Sequence, residues 1–195
     1  MEREAFRALL KKRPLLLDGG MGSLLIAAGL ERGRAPEHWV LERPERVEAA
    51  HRAYVEAGSR AIQTNTFGAS PPKLAASGLE GRCREVNRIA VSVAKRAAAG
   101  RALVAGDVGP TGLLRPPMGQ ATEHDFLRAF REQVSGLADA GADFISIETM
   151  FDLAEALAAL AAAVETGLPV VASMTFEKKK RGFFTIMGNP LLESL

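Results

Sequence analysis

Gly141-Ala142-Asp143-Phe144-Ile145-Ser146-Ile147-Glu148 reads as a helix stop, a short apolar run and a carboxylate at the carboxyl end of that run. Glycine ends a helix in a left-handed conformation that other residues resist, and an apolar run this short suits a strand buried on both faces. The phrase recurs. Gly58 leads into Arg60-Ala61-Ile62-Gln63-Thr64 and then Asn65, and Gly100 leads into Leu103-Val104-Ala105-Gly106 and then Asp107. In all three the polar residue stands seven positions after the glycine. After Gly167 the run Pro169-Val170-Val171-Ala172-Ser173 continues into Met174 and Thr175, so the polar position slips by one.

Working outward, Leu15, Leu16 and Leu17 end in Asp18-Gly19-Gly20-Met21-Gly22, the punctuation of a strand turning into a loop. Strands are therefore predicted near residues 14–18, 60–65, 102–107, 143–148 and 169–175. Apolar residues at three- and four-residue spacing predict helices over Pro44–Ala57, Arg82–Ala99, Glu123–Ala140 and Asp152–Glu165. Alternating units of this kind imply an α/β fold with a parallel sheet. Polar residues at the carboxyl ends of all five strands fit the active face of a TIM (β/α)8 barrel better than the single switch point of an open sheet. Such a barrel needs about 250 residues. Residues 1–195 are thus expected to hold about the first five βα units, with the carboxy-terminal units missing and exposed strand edges that favour association.

Composition narrows the function classes. A 195-residue chain with 47% hydrophobic content can bury one globular core. Its 25 basic and 23 acidic residues nearly cancel and are dispersed over helix faces, which makes nucleic acid a poor partner. No apolar run approaches a membrane span and the first residues are polar, so a cytoplasmic location is expected. Cys83 is the single cysteine, which rules out an internal disulfide and a zinc cage of several thiolates.

Candidate chemistry gathers at the predicted strand ends. Asp18 with Gly19, Gly20 and Gly22 places a carboxylate beside unshielded backbone amides, able to hold an amino group and an adjacent polar atom; a simple turn is the alternative. The glycines lack the full dinucleotide-binding pattern. Thr64, Asn65 and Thr66 offer neutral donors and acceptors, suited to orienting a small polar substrate or to capping the loop. Asp107 opens the turn-rich Val108-Gly109-Pro110-Thr111-Gly112. Glu148 ends a buried strand, a costly place for a carboxylate unless a cation or hydrogen bonds compensate. Cys83 sits inside a helix as a packed or half-exposed residue. His38, His51 and His124 lack paired-ligand spacing and read as solvated. Lys178-Lys179-Lys180-Arg181 reads as a solvated loop or hairpin tip.

Taken together, Leu17-Asp18-Gly19-Gly20-Met21-Gly22-Ser23, Gln63-Thr64-Asn65-Thr66-Phe67, Gly106-Asp107-Val108-Gly109-Pro110-Thr111 and Ile147-Glu148-Thr149-Met150 stand in the order seen in homocysteine S-methyltransferase domains. The chain resembles that family over nearly its whole length, including Pro44-Glu45-Arg46-Val47 and Glu85-Val86-Asn87-Arg88-Ile89-Ala90. The family includes the homocysteine-binding domain of cobalamin-dependent methionine synthase and betaine-homocysteine methyltransferase. The resemblance implies a TIM barrel in which a zinc-bound thiolate of homocysteine attacks an activated methyl group to give methionine. It further implies that Asp18 and Gly19 contact the amino acid portion of homocysteine, that Glu148 binds its ammonium, that Asn65 and Thr66 line the pocket, and that Asp107 belongs to the same substrate-binding set.

One departure bears on activity. The family places its zinc cysteines after the sixth and eighth strands, so by the resemblance they are expected beyond Leu195, and Cys83 matches none of them. Zn2+ is thus expected for the full-length family domain and not for this chain, which alone is expected to transfer no methyl group. Methylcobalamin or folate would enter through other domains or partners such as a corrinoid protein. The competing reading is a catalytically dead accessory module that retains the amino acid pocket or a corrinoid-docking surface. An aldolase- or lyase-like barrel is disfavoured by the lack of a lysine at any predicted strand end.

Overall fold

The structure, a computed structural model, describes residues 1–194. Leu195, the residue beyond which the zinc cysteines are expected, lies outside the described residues. The centre of the fold is a parallel sheet of β1 (Ala61–Gln63), β2 (Leu103–Val108), β3 (Phe144–Met150) and β4 (Val170–Met174) in the order β1-β2-β3-β4. Ala61 aligns with Leu103, Ala105 with Phe144, and Ile145 with Val170. Parallel neighbours need crossovers, and these are α6 (Cys83–Ala98), α7 (Glu123–Asp139) and α8 (Leu153–Glu165), with α4 (Pro44–Glu56) leading into β1. All four helices and all four of these strands fall within a few residues of the bounds expected from periodicity.

Successive strand residues point to opposite faces, and the two faces are chemically different. Ile62 and Val104 pack with Val55, Ala94, Ala97 and Ala98 of α4 and α6. Val108, Ile145 and Ile147 pack with Phe126, Phe130, Val134 and Leu137 of α7 and with Ala159, Ala162 and Ala163 of α8. The other face carries Ala61, Ala105 and Phe144, which α1 (Arg3–Lys12) covers with Phe6; the Phe6 and Phe144 ring centroids are 4.8 Å apart. Nearer the carboxyl ends, this face turns polar: Gln63 Nε2 donates to Asp107 Oδ1 at 3.3 Å and to Ser146 Oγ at 3.4 Å. The same alternation that buries one row against helices therefore aims the next at an open site.

Two expectations about strands are corrected. Residues 14–18 form no strand in the ladder: Leu16 O accepts from Arg60 N at 2.8 Å and from Ala61 N at 3.1 Å, while Leu16 is 59% exposed. One shared carbonyl is a tie at a sheet margin, and a segment with a neighbour on one side only is not enclosed. β4 is likewise largely exposed instead of buried on both faces, because it is the last strand of the ladder.

Four short or peripheral helices were not expected: α1, α2 (Met21–Ala27), α3 (His38–Glu42) and α5 (Pro71–Ala76). The basic run forms the tip region of a hairpin of β5 (Glu177–Lys179) and β6 (Gly182–Phe184), one of its two expected forms. The tail makes a single 3-10 turn over Leu191–Glu193. His51, read as solvated, is fully buried on α4, and neither ring nitrogen has a hydrogen-bond partner among the described residues. Burial holds it neutral by pushing its pKa down to about 4.

Candidate functional site

A cavity of about 580 Å³ opens at the carboxyl ends of the strands. Of the residues singled out from sequence, it is lined by Asp18, Gly19, Gly20, Gly22, Thr64, Asn65, Asp107 and Glu148. Asn65, Asp107 and Glu148 meet because parallel strands place their carboxyl ends on one side, and Asp18 joins them from the segment tied to β1.

Asp18 reaches the site from the 14–20 segment. Its Oδ2 accepts from Gln63 N at 3.0 Å, which pins the segment to β1, while its Oδ1 is buried without a partner. Burial, opposed by the Gln63 and Asp18 amides and reinforced by Glu148, pushes its pKa up to about 7. Gly19 lies in a close approach: a Cβ there would come 3.0 Å from Tyr54 Oη, and that hydroxyl donates to Gly20 O at 3.3 Å.

Asp107, at the end of β2, is buried, and its pKa is raised well above the usual carboxylate range, mainly by burial and then by Glu148. Glu148 sits where β3 bulges. Ile147 pairs with Ala172 and Met150 with Met174, so β3 carries one residue more than β4 across this interval. Thr149 takes up the distortion at φ +60, a left-handed conformation that costs a β-branched residue about 1–3 kcal/mol. Strict alternation already puts Glu148 on the cavity face with Phe144 and Ser146, and the extra residue at Thr149 returns Met150 to the helix-side core with Ile145 and Ile147.

Asn65 lines the cavity while its Nδ2 donates to Pro36 O at 2.8 Å, tying the loop before α3 to the end of β1. Thr66 does not line it. It is fully buried behind the wall, 2.6 Å from Thr64 Oγ1, and its hydroxyl donates to Asp107 O at 2.7 Å. Its hydroxyl is consumed in joining the ends of β1 and β2, which is why the pocket-lining expectation for Thr66 is not met.

Several contributors escaped the sequence reading. Glu37 is buried in the loop before α3, where its Oε1 accepts from Gly68 N at 2.7 Å. Lys73 on α5 and Phe67 complete the wall. Phe67 lies over Gly109, where a Cβ would come within 2.5 Å of its ring. Glu155 on α8 holds the 109–112 loop from behind: its Oε1 accepts from Thr111 N at 2.7 Å and from Thr111 Oγ1 at 2.5 Å. For Gln63, its position next to the Thr64–Thr66 strand end was the available signal.

The lining therefore holds four carboxyl groups, Asp18, Glu37, Asp107 and Glu148, against one cationic side chain, Lys73. Asp18, Asp107 and Glu148 act on one another electrostatically, so a bound ammonium near them would relieve repulsion and restore ionisation at once. No group of three or more His, Cys, Asp or Glu placed to hold a metal occurs among the described residues. Cys83 is buried at the start of α6, its Sγ donates to Ala69 O at 3.2 Å, and burial pushes its thiol up to about 12, the reverse of what a metal thiolate needs.

A parallel α/β sheet with carboxylates gathered around a cavity at its carboxyl ends is an arrangement chemically able to hold a small cationic or zwitterionic molecule. The family model described as homocysteine S-methyltransferase matches residues 15–194, and the chain belongs to that family. Methionine synthase of Mycobacterium tuberculosis is 35% identical over 188 residues, an alignment covering 87% of this chain and 16% of that protein. The chain thus spans about a sixth of that relative's length. Among solved structures, the metallated form of the homocysteine methyltransferase MmuM from Escherichia coli superposes with a TM-score of 0.82 at 28% identity, covering 96% of this chain and 71% of that one. Its apo form gives 0.72 at 28% identity, over 95% and 67% of the two chains.

Proposed function

We propose that this chain is the amino-terminal part of a (β/α)8 barrel, about its first five βα units, that binds homocysteine for S-methylation to methionine. The observation that carries the reading is the placement of Asp18 and Glu148 on one cavity, with Asp18 Oδ1 buried, unpartnered and short of a counter-charge. In this reading the two carboxylates take the α-ammonium, the amides around Gly19 take the adjacent carboxylate, and Asn65 and Asp107 shape the cavity behind them.

Methyl transfer needs the thiol to lose its proton; the sulfur then forms a bond to the methyl carbon while the bond from that carbon to the donor breaks and its electron pair leaves with the donor. The chain's residues bind and orient the amino acid end of the acceptor. They do not fit the zinc that the family implies, since the one cysteine is a hydrogen-bonded core thiol and no group of three or more His, Cys, Asp or Glu placed to hold a metal occurs among the described residues. Corrinoid- or folate-bearing domains and small sulfonium or amine compounds are the donor classes compatible with the family, and the relation to methionine synthase supports a corrinoid partner among them.

The test is homocysteine titrated into the chain by chemical-shift perturbation, with Asp18→Asn and Glu148→Gln beside the wild type. Perturbations confined to the ends of β1–β3, weakened tenfold or more in either variant, support the reading. Absence of binding at millimolar homocysteine, or binding indifferent to both substitutions, sinks it.

A further inference from the structure

The two ends of the sheet carry opposite charge. Four carboxyl groups line the cavity at the carboxyl ends, whereas a second cavity, of about 340 Å³, opens at the amino ends of β1 and β2 and is lined by Arg13, Arg60 and Arg101 and, among the described residues, by no acidic side chain. Guanidinium groups elsewhere on the molecule have partners: Arg34 pairs with Glu42, Arg96 with Glu48 and Arg115 with Asp152. Among the described residues, the side chains of Arg13, Arg60 and Arg101 make neither an ion pair nor a hydrogen bond.

Local folding places the three together. Each follows the carboxyl end of a helix: Arg13 caps α1, Arg60 stands at the turn from α4 into β1, and Arg101 at the turn from α6 into β2. Arg60 N donates to Leu16 O at 2.8 Å, Arg60 O accepts from Leu103 N at 2.9 Å, and Arg101 N donates to Ala98 O at 2.8 Å, so the backbone that carries Arg60 and Arg101 is fixed relative to the sheet. A helix carboxyl end favours a nearby arginine through a partial negative charge of about half a unit, so three such ends offset about half of three guanidinium charges and leave the cavity net positive by about 1.5 charges.

The remaining lining is largely apolar, with Leu9 from α1, Pro14 and Leu15 from the segment after it, and Leu103 at the start of β2. A guanidinium is a planar fork that matches carboxylate and phosphate oxygens. One fork fills the two oxygens of a carboxylate, whereas a phosphate monoester presents three terminal oxygens and close to two charges at neutral pH. Three forks around one cavity therefore suit the phosphate, and the leucines suit an uncharged organic body attached to it. The volume lies near the lower end of the range of small-molecule sites, which fits a small ester and not a polymer segment.

We propose that the cavity at the amino ends of β1 and β2 is a second binding site, which takes a small phosphate monoester with an apolar body and holds its phosphate through Arg13, Arg60 and Arg101. It stands at the opposite end of the strands from the cavity of Asp18 and Glu148, so its occupation does not depend on what that cavity binds.

The experiment titrates phenyl phosphate into the chain at pH 8, where the phosphate is a dianion, beside inorganic phosphate, and follows binding by calorimetry and chemical-shift perturbation. Phenyl phosphate is expected to bind severalfold tighter than inorganic phosphate, with perturbations centred on Leu15, Arg60 and Leu103. Arg60→Gln and Arg101→Gln should each weaken it about tenfold, the worth of one charge-assisted hydrogen bond, and Arg60→Lys should keep part of the affinity. Arg88→Gln, at an exposed arginine of α6 outside the cavity, should leave it unchanged. Absence of binding at millimolar phenyl phosphate, equal binding of inorganic phosphate, or a loss in Arg88→Gln as large as that in Arg60→Gln overturns the assignment, the last because it would mark a response to overall charge and not to this cavity.

Discussion

Homocysteine affinity should be set by the ionisation of Asp18. Its pKa near 7 arises from burial, opposed by the Gln63 and Asp18 backbone amides and reinforced by Glu148. An ammonium ligand binds the ionised form, so affinity follows the ionised fraction. With a pKa of about 7, that fraction falls about 30-fold between pH 8 and pH 5.5. The homocysteine ammonium is fully charged across this interval and cannot produce the loss. Calorimetry at half-unit steps, repeated in buffers of different ionisation enthalpy, would show nearly one proton released per ligand bound at pH 6 and little at pH 8. Glu148→Gln removes the like charge beside Asp18, so it should move the midpoint of the profile to lower pH while weakening binding at pH 8. A flat profile from pH 5.5 to 8, or a midpoint unmoved by Glu148→Gln, would refute the coupling of these two carboxylates to the ligand.

Other outcomes follow from the packing. His51 is neutral in the fold, with a pKa near 4 against about 6.5 when unfolded; its contribution to stability is intact above pH 6.5 and is lost as pH falls toward 4. By pH 4.5 the loss is about 2.5 kcal/mol, and urea denaturation of His51→Leu should lack it; an unchanged difference between the pH 7 and pH 4.5 stabilities in that variant would disprove the assignment. Glu155→Ala strands the Thr111 amide and hydroxyl and should cost about 3 kcal/mol in the same assay; a loss below about 1 kcal/mol would mean that the loop is held by other contacts. Gly109→Ala pushes the Phe67 ring, already 39% exposed, outward. It should cost only about 1 kcal/mol of stability yet weaken homocysteine binding severalfold, and equal binding would place Phe67 outside the functional wall.

The units of this fold were legible because each is a local event. Gly58, Gly100, Gly141 and Gly167 all take positive φ where the spacing placed helix ends, and the runs after them become β1, β2, β3 and β4 of the ladder. The first segment shows where local reading stops. Leu15-Leu16-Leu17 has the composition of a buried strand, but it lies at a margin, where among the described residues only Leu16 O accepts backbone bonds and Leu17 O accepts from Ser59 Oγ of the chain beside it. Hydrophobicity states a preference for burial, whereas the neighbours available on each side decide whether it is satisfied. His51 is the mirror case: nothing in its neighbours along the chain marks it as buried, and only the packing of α4 encloses it.

The site divides along the same line. The sequence by itself determined which polar residues follow the strand runs, and a parallel sheet then forces Asn65, Asp107 and Glu148 to one end, while Asp18, on no strand of the ladder, is brought there by its bond from Gln63 N. Only the tertiary structure decided that Thr66 turns behind the wall, that a bulge after Glu148 returns Met150 to the core, and that Glu37 and Lys73 arrive from loop and helix segments with no strand-end signature. Strand direction is written in short-range pattern, but the aim of a side chain and the ionisation of a carboxyl depend on which distant groups exclude water from it.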